Sequence, residues 1–161
     1  YVVVIREAGE EPPDEAEEDA AVRFARAARA TGEGYWDWNL LAGTAWFGPN
    51  FATVLGLDEK ALGATFASFR ERVHPEDRTL LLQAIRLHVE QCRPFDVEVR
   101  IRTGGEHWRA FRLRGSAVRD GAGRPVQMSG RLEDIEDRRH AEQRVRRAED
   151  FLRRTLDGLT A

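Results

Sequence analysis

The sequence predicts an α+β domain: one five-stranded antiparallel sheet, with helices inserted between its second and third strands and further helices at both ends. Three observations lead there. Two-residue alternation of apolar and polar side chains occurs in two groups, residues 35–47 and 95–132, each interrupted by short Gly-containing turns. Between the groups the apolar spacing changes to the three-and-four pattern of helices. The late turns are far shorter than the crossover of about a dozen residues that a parallel pair needs, so the last three strands form an antiparallel meander. The aromatic first hairpin then has to complete the same sheet.

Residues 1–13 are a tail or linker. Within them, residues 1–5 are a β-branched run that reads equally as an edge strand, the tail of a preceding domain or a disordered end. Eight acidic residues fall between Glu7 and Asp19, around Pro12-Pro13. A flanking helix is expected over 14–32, with Asp14 as N-cap and a narrow stripe of Ala16, Ala20, Phe24 and Ala27/Ala28. So small a stripe needs a surface to lie on. Thr31-Gly32-Glu33-Gly34 ends it, and the main domain is expected over 33–135.

In the first hairpin Trp36, Trp38 and Leu40 share a face, Ala42-Gly43 turns, and residues 44–47 return. Gly48-Pro49-Asn50 stops that strand. Phe51, Val54 and Leu55 have helical spacing, and short helical turns are expected over 59–73. His74-Pro75-Glu76-Asp77 reads as a helix start, with Pro at the first helical position and carboxylates in the first turn. That helix runs to about Gln91, with Leu81, Ile85 and His88 or Val89 on one side, and Pro94 ends it. Phe95, Val97, Val99 and Ile101 then alternate with charged residues in the clearest half-buried strand of the chain. Residues 107–119 carry apolar groups on both parities, as a central strand covered on both faces would. After the loop Asp120-Gly121-Ala122-Gly123, the residues Val126, Met128, Gly130 and Leu132 alternate again.

Residues 136–161 are charged and helical in pattern. Ala141, Val145, Ala148, Leu152, Thr155 and Leu159 recur at spacings of four and three, which is a heptad seam and predicts a coiled coil of parallel dimer helices. A lone amphipathic helix is the alternative, and Thr155 is a poor core residue.

Composition sets the outer limits. With 161 residues, 42% hydrophobic and 33% charged, the chain supplies a real core and is neither disordered nor collagen-like. The single cysteine, Cys92, excludes an internal disulfide. No apolar run approaches the roughly 20 residues of a membrane span, so a cytoplasmic location is expected for this stretch. The chain starts at Tyr1 without Met, which suggests a piece of a longer protein that a membrane anchor elsewhere would still allow. Basic and acidic residues are interleaved and the net charge is −3, which argues against nucleic-acid binding. The same charges raise the hypothesis that the acidic stretch before Ala20 pairs with the basic C-terminal helix, within or between subunits. No Ser-His-Asp arrangement, Gly-rich phosphate loop or carboxylate pair is present, so no catalytic residue is assigned. His74 beside Glu76 and Asp77 lacks a second ligand at metal spacing and is expected to cap its helix; no metal site is assigned.

Local words add a family resemblance. Gly34-Tyr35-Trp36-Asp37-Trp38-Asn39, residues 51–57 ending Leu-Gly-Leu, His74-Pro75-Glu76-Asp77-Arg78, residues 95–102, Trp108, Asp120-Gly121-Ala122-Gly123-Arg124-Pro125, and residues 130–135 followed by Glu136-Asp137-Arg138 occur in one order over residues 34–138. This order resembles the PAS domain, in the sensory-box subgroup of bacterial signalling proteins that starts with Gly-x-Trp-Asp-Trp and closes with an Asp-Ile-Thr triplet. The resemblance implies short helices on one face of the sheet around a small-molecule cavity. Trp36, Trp38, Trp46, Phe47, Phe51, Val97, Val99 and Met128 are the candidate lining, with simple core packing as the competing reading. It also implies that Asp134 and Ile135 relay a signal into the outgoing helix. Glu136 stands where the family has Thr, so a hydroxyl N-cap is lost there.

No cofactor is assigned. Cys92 lies outside the Asn-Cys-Arg-Phe-Leu word of the light-sensing branch, haem through His88 is disfavoured by its place near a helix end, and a noncovalent flavin needs no particular residue. The implied function is a sensory and dimerisation module, homodimeric through flanking helices, that drives a downstream output domain such as a histidine kinase or diguanylate cyclase. The alternatives are a ligand-free dimerisation scaffold and a flavin- or metabolite-binding redox sensor. The fragment itself is expected to be no enzyme.

Overall fold

Every pair of neighbouring strands is antiparallel, and the strands lie in the order β2-β1-β5-β4-β3. The strands are β1 (Gly34–Asn39), β2 (Ala45–Phe47), β3 (Phe95–Arg102), β4 (Trp108–Arg119) and β5 (Pro125–Asp134) in a computed structural model that describes residues 23, 26, 27 and 29–160. Between β2 and β3 come α1 (Pro49–Leu55), a 3₁₀ turn (Glu59–Ala61), α2 (Phe66–Arg72) and α3 (Pro75–Gln91), and α4 (Glu136–Leu159) follows β5. The α+β sheet expected from the sequence is the one observed. Of the N-terminal flanking helix, residues 23, 26, 27 and 29–31 are helical and exposed. The tail 1–13, the Asp14 cap and the stripe residues Ala16, Ala20, Phe24 and Ala28 lie outside the described residues.

Alternation assigns the two faces. Phe95, Val97, Val99 and Ile101 of β3, Phe111 and Leu113 of β4, and Met128 and Leu132 of β5 point inward and are buried. Phe51, Ala52, Leu55, Phe69, Val73, Leu81 and Ile85 from the helical segment cover them. The outer face is a lattice of opposite charges, with Arg112 on Asp96, Arg114 on Glu133 and Arg131 on Glu33. The middle strand is β5, not β4. The apolar residues on the second parity of β4 have other covers: Ala110 lies under the start of α4, and Trp108 meets the His74 ring edge-on at 4.6 Å.

Each helix is fixed by its ends. Gly56 takes the left-handed conformation that closes α1, Thr65 caps α2 through the Ser68 N–H, and His74 Nδ1 accepts the Glu76 N–H at the start of α3. The capping reading of His74 thus describes its observed contact. Helix α3 is bolted to β3 through Arg100: Asp77 Oδ2 accepts from the Arg100 N–H and Nε and Oδ1 from Nη2, all within 2.9 Å, and Glu76 Oε2 accepts from Nη2 at 2.9 Å. The Arg100 hydrogen bonds hold the Asp77 carboxyl below its ordinary value.

Gly115 and Gly130 face each other across β4 and β5 because the Trp36 ring lies on them. A methyl at Gly130 would meet Trp36 Cζ2 and the Arg114 carbonyl, and neither can withdraw without moving the sheet. Gly130→Ala should therefore cost about 2 kcal/mol or more in urea denaturation, whereas Gly121→Ala, with nothing within 4 Å, should be close to neutral. A depressed carboxyl in the folded state contributes stability above its unfolded value of about 3.9 and loses it as pH falls further. Asp77→Asn should lower the urea midpoint at pH 7 and flatten its decline as pH falls below about 4; an unchanged acid limb there would show that the Asp77 contact is not what titrates.

Candidate functional site

The inner face of β1 and β2 and the helices opposite close on a cavity of about 30 Å³. Its wall is aromatic. Trp38 stacks on Phe66 with centroids 4.3 Å apart and 13° between planes, Phe47 lies 4.8 Å from Phe51, and Trp36 meets Phe95 edge-on at 6.0 Å. Such offset and edge-on pairs stabilise beyond their area burial. The Trp36 and Trp38 Nε1 groups are buried and have no hydrogen-bond partner. Asp37, next to both, turns its carboxylate to the outer face, where Gln127 Nε2 and Ser129 Oγ donate to it at 2.6–2.7 Å.

Of the residues singled out in the sequence, Trp36, Trp38, Phe47, Phe51 and Met128 come together around this cavity. Trp46 does not: the register Trp36↔Phe47 sends Phe47 inward and Trp46 to the outer face, 40% exposed. Val97 and Val99 are buried on the inner face but belong to the packed core beside the cavity, outside its wall. Phe66, Phe69, Leu81, Ile85, Phe95 and Leu113 complete the wall and were missed as lining. The signal for four of them was present, since Phe66/Phe69 and Leu81/Ile85 stand at i,i+3 and i,i+4.

A space of this size admits about one water, while drug-sized ligands fill about 300 Å³ or more. A flavin or haem would need this ring wall to open. His88 is also committed elsewhere. Its Nε2 accepts from the Ala117 N–H at 2.9 Å and its Nδ1 meets the Arg93 carbonyl, so both ring nitrogens are occupied by backbone. Arg119 answers from β4 by donating to the His88 and Val89 carbonyls at the end of α3. Cys92 is exposed at the left-handed cap of α3. Among the described residues no three His, Cys, Asp or Glu side chains gather as metal ligands.

The second part of the site is the exit from the sheet. Asp134 Oδ1 accepts the Glu136 N–H at 3.0 Å and caps α4, while Asp134 Oδ2 pairs with Arg109 at 3.0 Å. The Ile135 N–H donates to the Ala110 carbonyl at 3.1 Å, and Ile135 is buried. Glu136 reaches back to β4, where its Oε2 accepts the Ala110 N–H at 2.6 Å, and its Oε1 lies 3.0 Å from His140 Nε2. The N-cap position is Ile135, so residue 136 is the first helical residue rather than the hydroxyl cap the resemblance implies; Asp134 holds its N–H, and a carboxylate strut from Glu136 is added. Arg138 continues the attachment through Glu98 at 2.9 Å. Beyond that point α4 stands clear of the sheet. Ala141, Val145, Ala148, Leu152, Thr155 and Leu159 are all exposed, as are Phe151 and Leu156.

A sheet of this order, with an aromatic cavity under its helices and a helix leaving its middle strand, is what the comparisons match. The family model of the PAS fold matches residues 45–132, and the chain belongs to that family. It is a PAS domain of a bacterial signalling protein. It is 28% identical to the sensor protein FixL of Bradyrhizobium diazoefficiens over 145 residues, which are 90% of this chain and 28% of that protein. It is 29% identical to a Pseudomonas chlororaphis protein over 70% of this chain and 47% of that one, so it spans less than half of each of these two relatives. Among solved structures, a sensory box histidine kinase/response regulator from Burkholderia thailandensis superposes with a TM-score of 0.69 at 34% identity, covering 82% of this chain and 98% of that one. The N-terminal domain of a diguanylate cyclase with a PAS/PAC sensor from Marinobacter aquaeolei shares the fold, with a TM-score of 0.61 at 21% identity over 67% of this chain and 99% of that one. Among the described residues no helix is long and apolar enough to cross a membrane.

Glu136→Ala would leave the buried Ala110 N–H unpaired, a cost of about 1–3 kcal/mol. Amide exchange at Ala110 and in the first turn of α4 should quicken while exchange at Leu113 holds. Glu136→Gln, which keeps an acceptor, should restore most of the protection at Ala110.

Proposed function

We propose that this chain is the sensory and dimerisation module of a multidomain signal-transduction protein, which passes a change in its cavity or sheet through α4 to a downstream output domain. The observation that carries this reading is the exit from β5. Ile135 and Glu136 tie the start of α4 to the backbone of β4 at Ala110, and Asp134 holds the first helical N–H while pairing with the Arg109 side chain of β4, so a shift between β4 and β5 has to move the helix start. From there the unpartnered seam Ala141–Val145–Ala148–Leu152–Leu159 offers a surface for a second copy, and two helices packed along it turn a small displacement at the root into a rotation or register change. Couplings of about 1 to 3 kcal/mol suffice for such a relay. The output domain follows the pattern of the kinase and cyclase relatives, and the module itself performs no catalysis.

A second reading has its own observation. The cavity of about 30 Å³ is nearly filled by aromatic rings, which suits a ligand-free scaffold that holds two chains together constitutively. A sensor of a flavin or metabolite instead requires this ring wall to open.

Leu152→Asp places a charge in the seam and should convert a dimer to a monomer in analytical ultracentrifugation, with an unchanged near-ultraviolet spectrum of the sheet's tryptophans. A variant that still dimerises at the same concentration would remove the seam from the mechanism. The intact native mass and visible absorbance of the purified protein separate the readings: a co-purifying small molecule supports the ligand sensor, and a bare chain mass supports the scaffold.

A further inference from the structure

Helix α4 has two unlike flanks beside its apolar seam. On one flank His140, Gln143, Arg144, Arg147, Phe151 and Arg154 recur at helical spacing, and a shallow groove follows its first half along His140, Gln143, Arg144 and Arg147. Asp137 stands at the root of the groove, and Glu142 and Glu149 lie on the opposite flank. Asp150 borders the cationic flank and makes no ion pair with Arg147 or Arg154. Among the described residues Arg144, Arg147 and Arg154 have no ion-pair partner, and all three are exposed.

The same chain carries the matching charge. Between Glu7 and Asp19 there are eight carboxylates and no basic residue. Strand register brings the entrance to the sheet beside its exit. Gly34, where the main chain enters the sheet, pairs with Leu132, two residues before β5 ends and α4 begins, so both flanking segments leave from the same end of neighbouring strands. The entrance and exit are about 5 Å apart there. Arg147 and Arg154 stand 11 and 18 residues beyond Glu136, about 16 and 27 Å along the helix. Asp19 is 15 residues ahead of Gly34, a reach of about 22 Å as helix and more if extended. That reach falls between Arg147 and Arg154 along α4.

We propose that the cationic flank of α4 is the docking surface for the acidic segment 7–19 of the same chain, held by carboxylate–guanidinium pairs to Arg147 and Arg154. Bidentate pairing favours Arg over Lys for this task, and all but one of the chain's basic residues are Arg. The docked segment covers the flank beside the seam and leaves the seam itself open. It also makes the N-terminal segment a second determinant of how α4 leaves the sheet.

The test is a distance measurement on the full chain. With the exposed Cys92 replaced by Ser, spin labels at Ala16→Cys and Gln143→Cys report their separation by double electron–electron resonance. At about 10 mM salt a short, narrow distance is expected; at about 1 M, where screening acts within about 3 Å, its population should fall at least threefold. Arg147→Glu with Arg154→Glu should give the same loss at low salt, and adding Glu15→Arg with Glu18→Arg should restore the short distance by exchanging the charges. Because the substituted arginines are exposed, near-ultraviolet circular dichroism should report an unchanged domain. A distance that ignores both salt and the charge reversal would overturn the proposal. So would a short distance in mixtures of singly labelled chains, because the contact would then lie between molecules.

Discussion

The pairing of β1 with β5 is the constraint on which the rest of the molecule depends. It joins residues 34–39 to residues 127–132, across nearly a hundred residues of chain, and turns a hairpin and a distant meander into one sheet. The loop-closure entropy of that join is offset by aromatic burial, because β1 alone brings Trp36 and Trp38 over the inner face. Gly115 and Gly130 are the local condition for it, since the Trp36 ring occupies the volume their side chains would need. Once the join is made, three consequences follow together. The aromatic cavity closes, Asp37 is pinned by Gln127 and Ser129 on the far face, and the two flanking segments emerge side by side.

The parts of this architecture that depend on short-range periodicity were legible in the sequence. Alternation located β3 and β5, the Pro75 start and first-turn acids located α3, and the tight Gly turns required an antiparallel meander. What was not legible depended on register and depth. Trp46 sits in a three-residue strand whose neighbours are apolar on both parities, so only the partner Phe47↔Trp36 decides which way it faces. Val97 and Val99 reveal their face by alternation but not their position along it, and cavity lining is a matter of position. Phe66 and Phe69 were hidden in a stretch read only as short helical turns.

His88 and Glu136 illustrate a different limit. β4 runs past the start of β3, so the Ala117 N–H loses a strand partner and His88 takes it; no pattern in the sequence reports that two strands differ in length at one end. The substitution of Glu for the family's Thr at position 136 was visible, yet its compensation was not. A hydroxyl caps a helix from within one turn, whereas a Glu side chain is long enough to cross to the next strand, and here it does so, leaving the cap to Asp134. The longer side chain changes what is fastened to what. Here Glu136 ties the helix start to β4.

That difference bears on how stiff the exit is. The attachments at the root of α4, from Ile135, Asp134 and Glu136 to β4 and to the helix itself, are each worth about 1 kcal/mol net, with the charged ones about 1.5–3. Under the sensor reading, the whole junction therefore exceeds a coupling of about 1–3 kcal/mol by only a small factor. It is firm enough to make α4 follow the sheet and weak enough that a modest rearrangement of β4 against β5 can release part of it. A nearly filled cavity fits the same scale, because with so little free volume even a single rotated ring must be accommodated by the packing around it. Tight packing on the concave side and a measured attachment at the exit are, on this reading, two parts of one transmission, and loosening either one would disconnect the helix from events in the core.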